Sequence, residues 1–92
     1  MIHFLIHDRS DTVGVAVVEL RAGDEVTGRT LDTHESVTLR AGSDIPLGHK
    51  IALREHHIGD AVIKYGHDIG RVVAPIQAGE HVHVQNLKTK RW

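Results

Sequence analysis

The stretch Ile45-Pro46-Leu47-Gly48-His49-Lys50-Ile51 carries the pattern that decides the fold of this 92-residue chain. In it, an apolar residue is followed after three positions by glycine and after three more by a second apolar residue. The same spacing recurs at Leu20/Gly23/Val26 and at Ile76/Gly79/Val82. A weaker copy runs through Gly59 and Val62. Glycine adopts the positive φ that many tight turns require. Each copy therefore predicts a turn whose first apolar residue packs onto the core and whose second begins a new strand.

Short strands are predicted on either side of these turns. Residues 2–7 alternate in polarity, residues 13–20 form a nearly continuous β-branched run typical of a central strand, and residues 25–31 and 36–40 flank a hairpin loop at 32–35. No window of twelve residues has a helical period, although 54–58 and 69–75 would accommodate a short helical turn. The sequence predicts a mostly β domain of short, intertwined strands and hairpins, with at most short helical turns.

Composition predicts a single domain over residues 1–92 with an aliphatic core, since hydrophobic residues make up 40% and aromatic residues only 3%. The net charge of -1 lacks the basic excess typical of nucleic-acid-binding domains, and residues 88–92 are expected to form a basic tail. There is no cysteine. Neither a signal peptide nor an apolar run of the ~18–20 residues that cross a membrane is present. We expect a soluble, cytoplasmic domain, and one this small gains from a partner surface.

The glycine-punctuated second half places histidines and lysines at strand ends, where a site could be built. In His81-Val82-His83 the two imidazoles share one strand face, while Val82 and Val84 are expected in the core. This spacing suits a shared metal ion or anionic ligand. Two exposed histidines on a strand are the alternative interpretation.

Two further pairs combine groups that bind anions and transfer protons. His49-Lys50 follows a turn, and only one of the two faces the same way as Ile51. Lys64-Tyr65 offers an amine and a phenol for holding a carboxylate or moving a proton, or else an amphipathic lysine beside an edge tyrosine. The histidines expected to be merely solvated are His34, His56, His57 and His67. With no nucleophile triad or phosphate loop visible, any chemistry is expected at an interface with a larger catalytic chain.

Several motifs in one order give the chain a family resemblance. They are Ile6-His7, Asp11-Thr12-Val13, Gly48-His49-Lys50-Ile51-Ala52-Leu53, Lys64-Tyr65-Gly66, Ile69-Gly70 and Gly79-Glu80-His81-Val82-His83. Together they resemble the SAF-like domain of the altronate/galactarate dehydratase family. The resemblance implies a β-clip fold and a large partner subunit. Because the chain starts at Met1 and ends just past the last motif, it looks like a separate small subunit.

Within that family, residues 43–46, 68–76 and 88–92 resemble the small subunits of enzymes that eliminate bisulfite from (2R)-3-sulfolactate to give pyruvate. That likeness implies a carbon–sulfur lyase, inactive without its large subunit, with Fe²⁺ as the cofactor. A sugar-acid dehydratase subunit and a non-enzymatic carbohydrate-binding or assembly module are the alternatives. Where the family often has asparagine and histidine, this chain has Thr12 and Gln85, and the second change removes an imidazole from the face of His81 and His83.

The resemblance and the residue chemistry together suggest roles for seven residues. His49 and Tyr65 are expected to transfer or orient protons, and Lys50, Lys64 and His7 to contact the substrate. His81 and His83 are expected to bind the metal. No nucleic-acid or membrane partner is expected, and the isolated chain is expected to be able to self-associate.

Overall fold

The computed structural model describes residues 1–89, which form nine short strands and contain no helix. The strands are β1 (Phe4–Ile6), β2 (Val13–Ala16), β3 (Glu25–Thr30), β4 (Ser36–Arg40), β5 (Lys50–Ala52), β6 (Ala61–Lys64), β7 (His67–Val72), β8 (His81–Val82) and β9 (Leu87–Thr89). Six of them form one sheet in the order β4-β3-β1-β2-β5-β8, and the rest form a second sheet in the order β6-β7-β9. All neighbours are antiparallel except β1 and β3. The predicted mostly β fold is confirmed.

The glycine turns are the repeated unit of this fold. Gly23, Gly48, Gly59 and Gly79 have φ values of 92°, 87°, 94° and 89°. The apolar residues three positions before three of these glycines are buried, as predicted: Leu20, Ile45 and Ile76. Each turn leads into a strand within two or three residues, because glycine reverses the chain where the next apolar residue must enter the core.

The hydrogen bonds of the turns repeat from one half of the chain to the other. The backbones of Leu20 and Ile45 exchange two hydrogen bonds of 2.9 Å, and those of His56 and Ile76 exchange two of 2.8 and 3.0 Å. Likewise, Gly23 N–H donates to Ala41 O and Gly59 N–H to Val72 O, both at 2.8 Å. The half 20–51, with its β3–β4 hairpin, therefore matches the half 56–82, with its β6–β7 hairpin, through an approximate two-fold relation.

β5 and β8 meet where the two halves join. Their register pairs Lys50 with Val82 and Ile51 with His81. The two-fold relation maps Lys50 onto His81 and Ile51 onto Val82. It therefore maps the Lys50–Val82 pair onto the Ile51–His81 pair. Residues near the start of β5 are therefore brought next to residues near the start of β8, although the two strands are far apart in sequence.

The core consists of two clusters, one for each half. The first contains Leu20, Val26, Ile45 and Ile51 together with Phe4, Ile6 and Ala16. The second contains Val62, Ile76 and Val82 together with Val13, Ala52, Val72 and Leu87. The two-fold relation matches Val26 to Val62, Ile45 to Ile76 and Ile51 to Val82. Leu20 is matched by His56, whose side chain is 1% exposed.

Four sequence predictions are corrected here. No helical turn forms at 54–58, where His56 forms an antiparallel β-bridge with Ile76. None forms at 69–75 either, because β7 extends through Val72 and its Gly70 packs against the backbone of β9. The strand predicted at 13–20 ends at Ala16, and Val17 is exposed. His56, expected to be solvated, is buried because it occupies the anchor position of its turn. Lys88 and Thr89 belong to β9, while the remainder of the predicted tail lies outside the described residues.

Nothing in residues 1–89 has the helical length and apolar character that crossing a membrane requires.

Candidate functional site

Three imidazoles meet at the join between β5 and β8. His49 lies just before β5, and because side chains alternate along a strand it shares a face with Ile51. Ile51 pairs with His81, so His81 and His83 lie on that same face. Of His49 and Lys50, it is therefore His49 that joins the two histidines of the His-x-His motif. We call His49, His81 and His83 the imidazole cluster.

The three rings of the imidazole cluster are in contact. His49 Nδ1 lies 2.8 Å from His81 Nε2, a hydrogen bond in which one nitrogen must carry the proton. The ring centroids of His49 and His83 are 4.5 Å apart, and those of His81 lie 5.0 Å from His49 and 5.3 Å from His83. One nitrogen from each ring falls within 4.8 Å of the others. All three side chains are half-buried.

Neighbouring polar groups fix the backbone that carries His81 and His83. His81 N–H donates to Ser43 Oγ at 2.8 Å, and His83 N–H donates to Asn86 Oδ1 at 3.0 Å. The buried Asn86 side chain also donates to the His81 carbonyl at 2.8 Å. These bonds end β8 at Val82 and turn the chain. Val84, predicted to face the core, is therefore exposed.

The environment favours the neutral form of the His81 imidazole. Burial lowers the pKa of His81, and the neighbouring His49, His83 and Lys50 lower it further. A neutral ring keeps a lone pair on one nitrogen, which metal coordination requires.

The donor set fits a first-row transition metal. Imidazole nitrogen is a ligand for iron, zinc, copper and nickel, and one nitrogen from each of the three rings lies close enough to the others for the set to share an ion. The residues to hold such an ion are therefore His49, His81 and His83. His49 was assigned to proton transfer from the sequence, because only the β5–β8 register shows it beside the other two.

A second group of polar side chains surrounds the β6–β7 turn. The rings of His7 and Tyr65 are stacked with centroids 3.8 Å apart and planes 18° from parallel. Lys64 Nζ lies 5.4 Å from the Tyr65 centroid. We group Lys50 with these residues on charge alone, because burial and then the charge of Lys64 lower its pKa. We call His7, Lys50, Lys64 and Tyr65 the lysine–tyrosine cluster.

The lysines of this cluster have no acidic partner in the part of the chain that is described. Neither Lys50 nor Lys64 forms an ion pair within residues 1–89. Two neighbouring ammonium groups repel each other, and an anion bound between them would offset that repulsion. The arrangement is thus suited to a small, multiply charged anion.

The predicted site residues therefore fall into two clusters rather than one. The hydrogen bonds and ring contacts of residues 1–89 do not join the clusters directly. Lys50 connects them electrostatically, since its charge affects His81 and it interacts with Lys64. His57, as predicted, is exposed, and it pairs with Glu55 and Asp60.

Two open grooves border His81. One of about 220 Å³ is lined by Glu19, Arg21, Asp44 and Pro46 among others, and one of about 340 Å³ by Ser43, Pro75, Glu80 and Asn86 among others. These volumes lie below or at the low end of the ~300–1,000 Å³ typical of ligand pockets. A second surface would be needed to enclose a substrate there.

The chain is similar to known proteins over nearly its whole length. Residues 2–90 match the family described as the altronate/galactarate dehydratase SAF domain. The chain is 50% identical, over 99% of its length and 98% of the relative's, to the (2R)-sulfolactate sulfo-lyase subunit alpha of Chromohalobacter salexigens. It is 56% identical to the subunit alpha of the same name from Paracoccus pantotrophus, over 59% of this chain and 81% of that one.

A larger protein carries a similar segment. The altronate dehydratase of Escherichia coli strain K12 is 46% identical over 86% of this chain, which corresponds to 15% of that protein. The match spans most of each subunit alpha, 98% and 81%, but only a small part of the longer dehydratase. The resemblance inferred from the motifs is thus confirmed: the chain belongs to the altronate/galactarate dehydratase SAF domain family.

Proposed function

We propose that this chain is the small subunit of a two-subunit carbon–sulfur lyase that eliminates bisulfite from (2R)-3-sulfolactate and leaves pyruvate. The full-length likeness to a sulfo-lyase subunit alpha supports the substrate. The observation that carries a role in the site is the meeting of His49, His81 and His83 from two turns that are distant in sequence. A large partner subunit supplies the rest of the active site and closes the open grooves beside His81. The complex acts in the cytoplasm.

The reaction sets clear demands on such a site. A base removes the proton from C2 of sulfolactate, and its electron pair forms the C2=C3 double bond. The C3–S bond breaks, and its pair leaves with sulfite, which takes up a proton to become bisulfite. The resulting enol moves its hydroxyl proton to C3 and becomes pyruvate. The substrate carries both a carboxylate and a sulfonate, so cationic or hydrogen-bonding groups are needed at both ends.

The imidazole cluster is the proposed site of Fe²⁺. A bound divalent ion would act as a Lewis acid that makes the C2 proton more acidic. Burial lowers the pKa of His81 in the direction that keeps this ring neutral. Imidazole ligands add no negative charge, so an anionic substrate can approach without repulsion from the ligands.

The lysine–tyrosine cluster is proposed to bind the anionic groups and to move protons. Lys50 and Lys64, which lack acidic partners within residues 1–89, hold the carboxylate or sulfonate. Tyr65, stacked on His7, is the candidate proton carrier. His7 holds the phenol ring in place and contacts the substrate. The charge of Lys50 interacts with Lys64 and also acts on His81, so it links this cluster to the imidazole cluster.

A sugar-acid dehydratase subunit is the second candidate. The 46% identity to a segment of an altronate dehydratase favours it. That reaction would also remove a proton next to a carboxylate but would expel water instead of sulfite. The same two clusters would serve, and the partner subunit would decide the length of the substrate. A glycan-binding module without catalysis is the third reading, and it predicts no turnover.

The test is to purify the chain together with its native large subunit and measure product release. Sulfite from (2R)-3-sulfolactate is the expected product, and altronate and galactarate are supplied in parallel. Single His49→Ala, His81→Ala and His83→Ala variants are expected to lose about 10²-fold or more in kcat, together with bound iron measured by elemental analysis. His57→Ala, at an exposed histidine outside both clusters, is the matched control.

The outcomes separate the candidates. Dehydration without sulfite release would replace the sulfo-lyase by the dehydratase. Full activity and full iron content in all three cluster variants would remove the imidazole cluster from the mechanism. A chain that binds a glycan and gives no turnover with any large subunit would identify a binding module.

A further inference from the structure

The turn between β6 and β7 has an unusual residue in it. Lys64 pairs with His67, so Tyr65 and Gly66 alone make the turn. Both have positive φ, 57° and 74°. Two-residue hairpin turns with two positive φ values favour Asn-Gly, because asparagine tolerates the left-handed region. Tyrosine does so poorly, and such strain persists only where the surrounding structure holds it in place.

Asp11 holds this turn. Its buried carboxylate accepts the Gly66 N–H through Oδ1 at 2.8 Å and the Tyr65 N–H through Oδ2 at 3.0 Å. The next residue continues the clamp, because Thr12 N–H donates to the Ile63 carbonyl at 2.9 Å and Ile63 N–H donates to Thr12 Oγ1 at 3.1 Å. Asp11 and Thr12, just before β2, thus bind four backbone groups of β6 and its turn, more than fifty positions away.

The clamp binds the backbone of the turn, and the side chain that this backbone carries is that of Tyr65. It is 57% exposed, and its ring is stacked on His7 near Lys64. An exposed aromatic ring contributes little to the core, so the fold itself does not require tyrosine here. Strained backbone that serves no packing purpose is characteristic of functional sites.

We propose that Asp11 is a positioning residue for the reaction: its carboxylate holds the strained turn that presents Tyr65, stacked on His7, to the substrate. This inference rests on the proposed function, in which Tyr65 transfers protons. Asp11 itself does not touch the substrate. Its effect on turnover passes through the position of the phenol.

The first test replaces the strained residue by the one that the turn favours. Tyr65→Asn should fold at least as stably as the wild type and lose about 10²-fold in kcat for sulfite release by the complex. His34→Asn is the matched control, because His34 is also a non-glycine residue with positive φ, 62°, and lies in the exposed β3–β4 loop. It should relieve similar strain and keep full activity. Full activity of Tyr65→Asn would overturn the proposal.

The second test asks whether Asp11 acts through Tyr65. Asp11→Asn removes one of the two carboxylate acceptors, and about a 10-fold loss in kcat is expected with Tyr65 present. In the Tyr65→Asn background the same change should cost no further activity, because coupled residues are not additive. Two independent, additive losses would show that Asp11 has only a structural role. If Asp11→Asn alone does not fold, the double variant should, since the Asn-Gly turn depends less on the clamp. If neither variant folds, the clamp is not specific to Tyr65 and the proposal is wrong.

A readout without turnover separates this inference from the proposed function. Tyr65 is the only tyrosine of the chain, so ¹³C-tyrosine labelling of this subunit gives one set of ring signals in the assembled complex. Stacking on His7 should shift these signals, and Asp11→Glu, which moves the carboxylate while keeping its charge, should return them toward the position seen in His7→Ala. Unchanged signals would refute the positioning role. An inactive complex with the expected shifts would instead refute only the proposed reaction.

Discussion

Leu20 and His56 occupy matching places in the two halves of the molecule. Both are buried, but one side chain is apolar and the other is polar. Each stands three residues before a turn glycine, and each exchanges two backbone hydrogen bonds with an isoleucine. Leu20 packs into an aliphatic cluster with Phe4 and Ile6. His56 is equally buried, yet neither of its ring nitrogens has a partner in good hydrogen-bond geometry within residues 1–89, and the nearby Arg54 backbone only partly offsets the effect of burial on its pKa. The same backbone frame thus supports an apolar anchor in one half and an unsatisfied polar anchor in the other.

The two halves also differ in how well their residues pack. The first half receives Phe4, whose ring fills the space above Gly14 and Gly28. The second half has a cluster with as many buried residues but no aromatic ring, and it contains the buried His56 and the strained turn at Tyr65. Functional sites often accept such departures from good packing while the rest of a fold compensates for them. We infer that the half 20–51 supplies more of the stability and the half 56–82 more of the site.

The largest effect is expected from making the first half resemble the second. Leu20→His would lose apolar burial and place an unsatisfied ring in the first cluster, so the free energy of unfolding should fall by about 4 kcal/mol. Urea denaturation followed by circular dichroism measures it. Val17→His, at an exposed neighbour, should cost little. A loss below about 1 kcal/mol for Leu20→His would mean that the anchor positions carry little of the packing energy.

A smaller loss of stability is expected from alanine substitutions at two turn glycines that share a conformation, and it should differ between them. Gly48 and Gly79 correspond under the two-fold relation and have nearly equal φ, but an added Cβ meets open space at Gly48 and the Arg40 carbonyl at Gly79. Gly48→Ala should cost about 1–2 kcal/mol from backbone strain alone, and Gly79→Ala about 3 kcal/mol because the neighbouring strand must also move. Thermal unfolding of the two variants compares them. Equal losses would show that the halves do not differ in packing here.

The smallest effect is expected from making the second half resemble the first. His56→Leu removes two unsatisfied nitrogens and keeps a side chain of similar size, so the free energy of unfolding should rise by about 2 kcal/mol at neutral pH. His57→Leu, at an exposed neighbour, is the control and should change stability little. A destabilised His56→Leu variant would indicate that the buried ring has a polar partner after all.

The same variant should alter the dependence of stability on pH. Burial lowers the pKa of His56; the charges of Arg54 and His57 lower it further, while Asp60 and the Arg54 backbone act in the opposite direction. The unfolded chain then binds more protons than the folded one, so stability is retained above the unfolded pKa of about 6.5 and falls as the pH drops below it. His56→Leu should flatten this decline, and the remainder should include His81, whose pKa is shifted the same way. An unchanged slope would exclude His56 as its source.

Much of the fold could be predicted because its repeated unit is local. Seven residues with glycine in the middle specify the turn, its anchor and the next strand, and three of the anchors are apolar and buried as expected. His56 was missed because histidine is polar, although its spacing to Gly59 and Val62 is the same as that of Leu20 to Gly23 and Val26. Position in the repeat was a better guide to burial than residue type.

The site was predictable only in part because its parts depend on non-local pairing. His81 and His83 share a face through their own spacing, which sequence reasoning can read. His49 joins them through the β5–β8 register, between residues 32 positions apart, and the sequence contains no direct sign of that pairing. The Asp11 clamp is equally non-local. Tyr65 also gave no sign of its left-handed backbone, because Tyr-Gly is not the usual pair for such a turn.

The β5–β8 join has a thermodynamic consequence. His49 belongs to the half 20–51 and His81 to the half 56–82, which His83 directly follows, so a ligand held by all three binds only when the halves are docked in register. By mass action, such a ligand at 100 times its Kd adds about 2.7 kcal/mol to the docked state. Occupancy of the imidazole cluster and cooperative folding of the whole chain are therefore linked quantities. Stripping the ligand would lower the unfolding temperature of a chain in which no residue has changed.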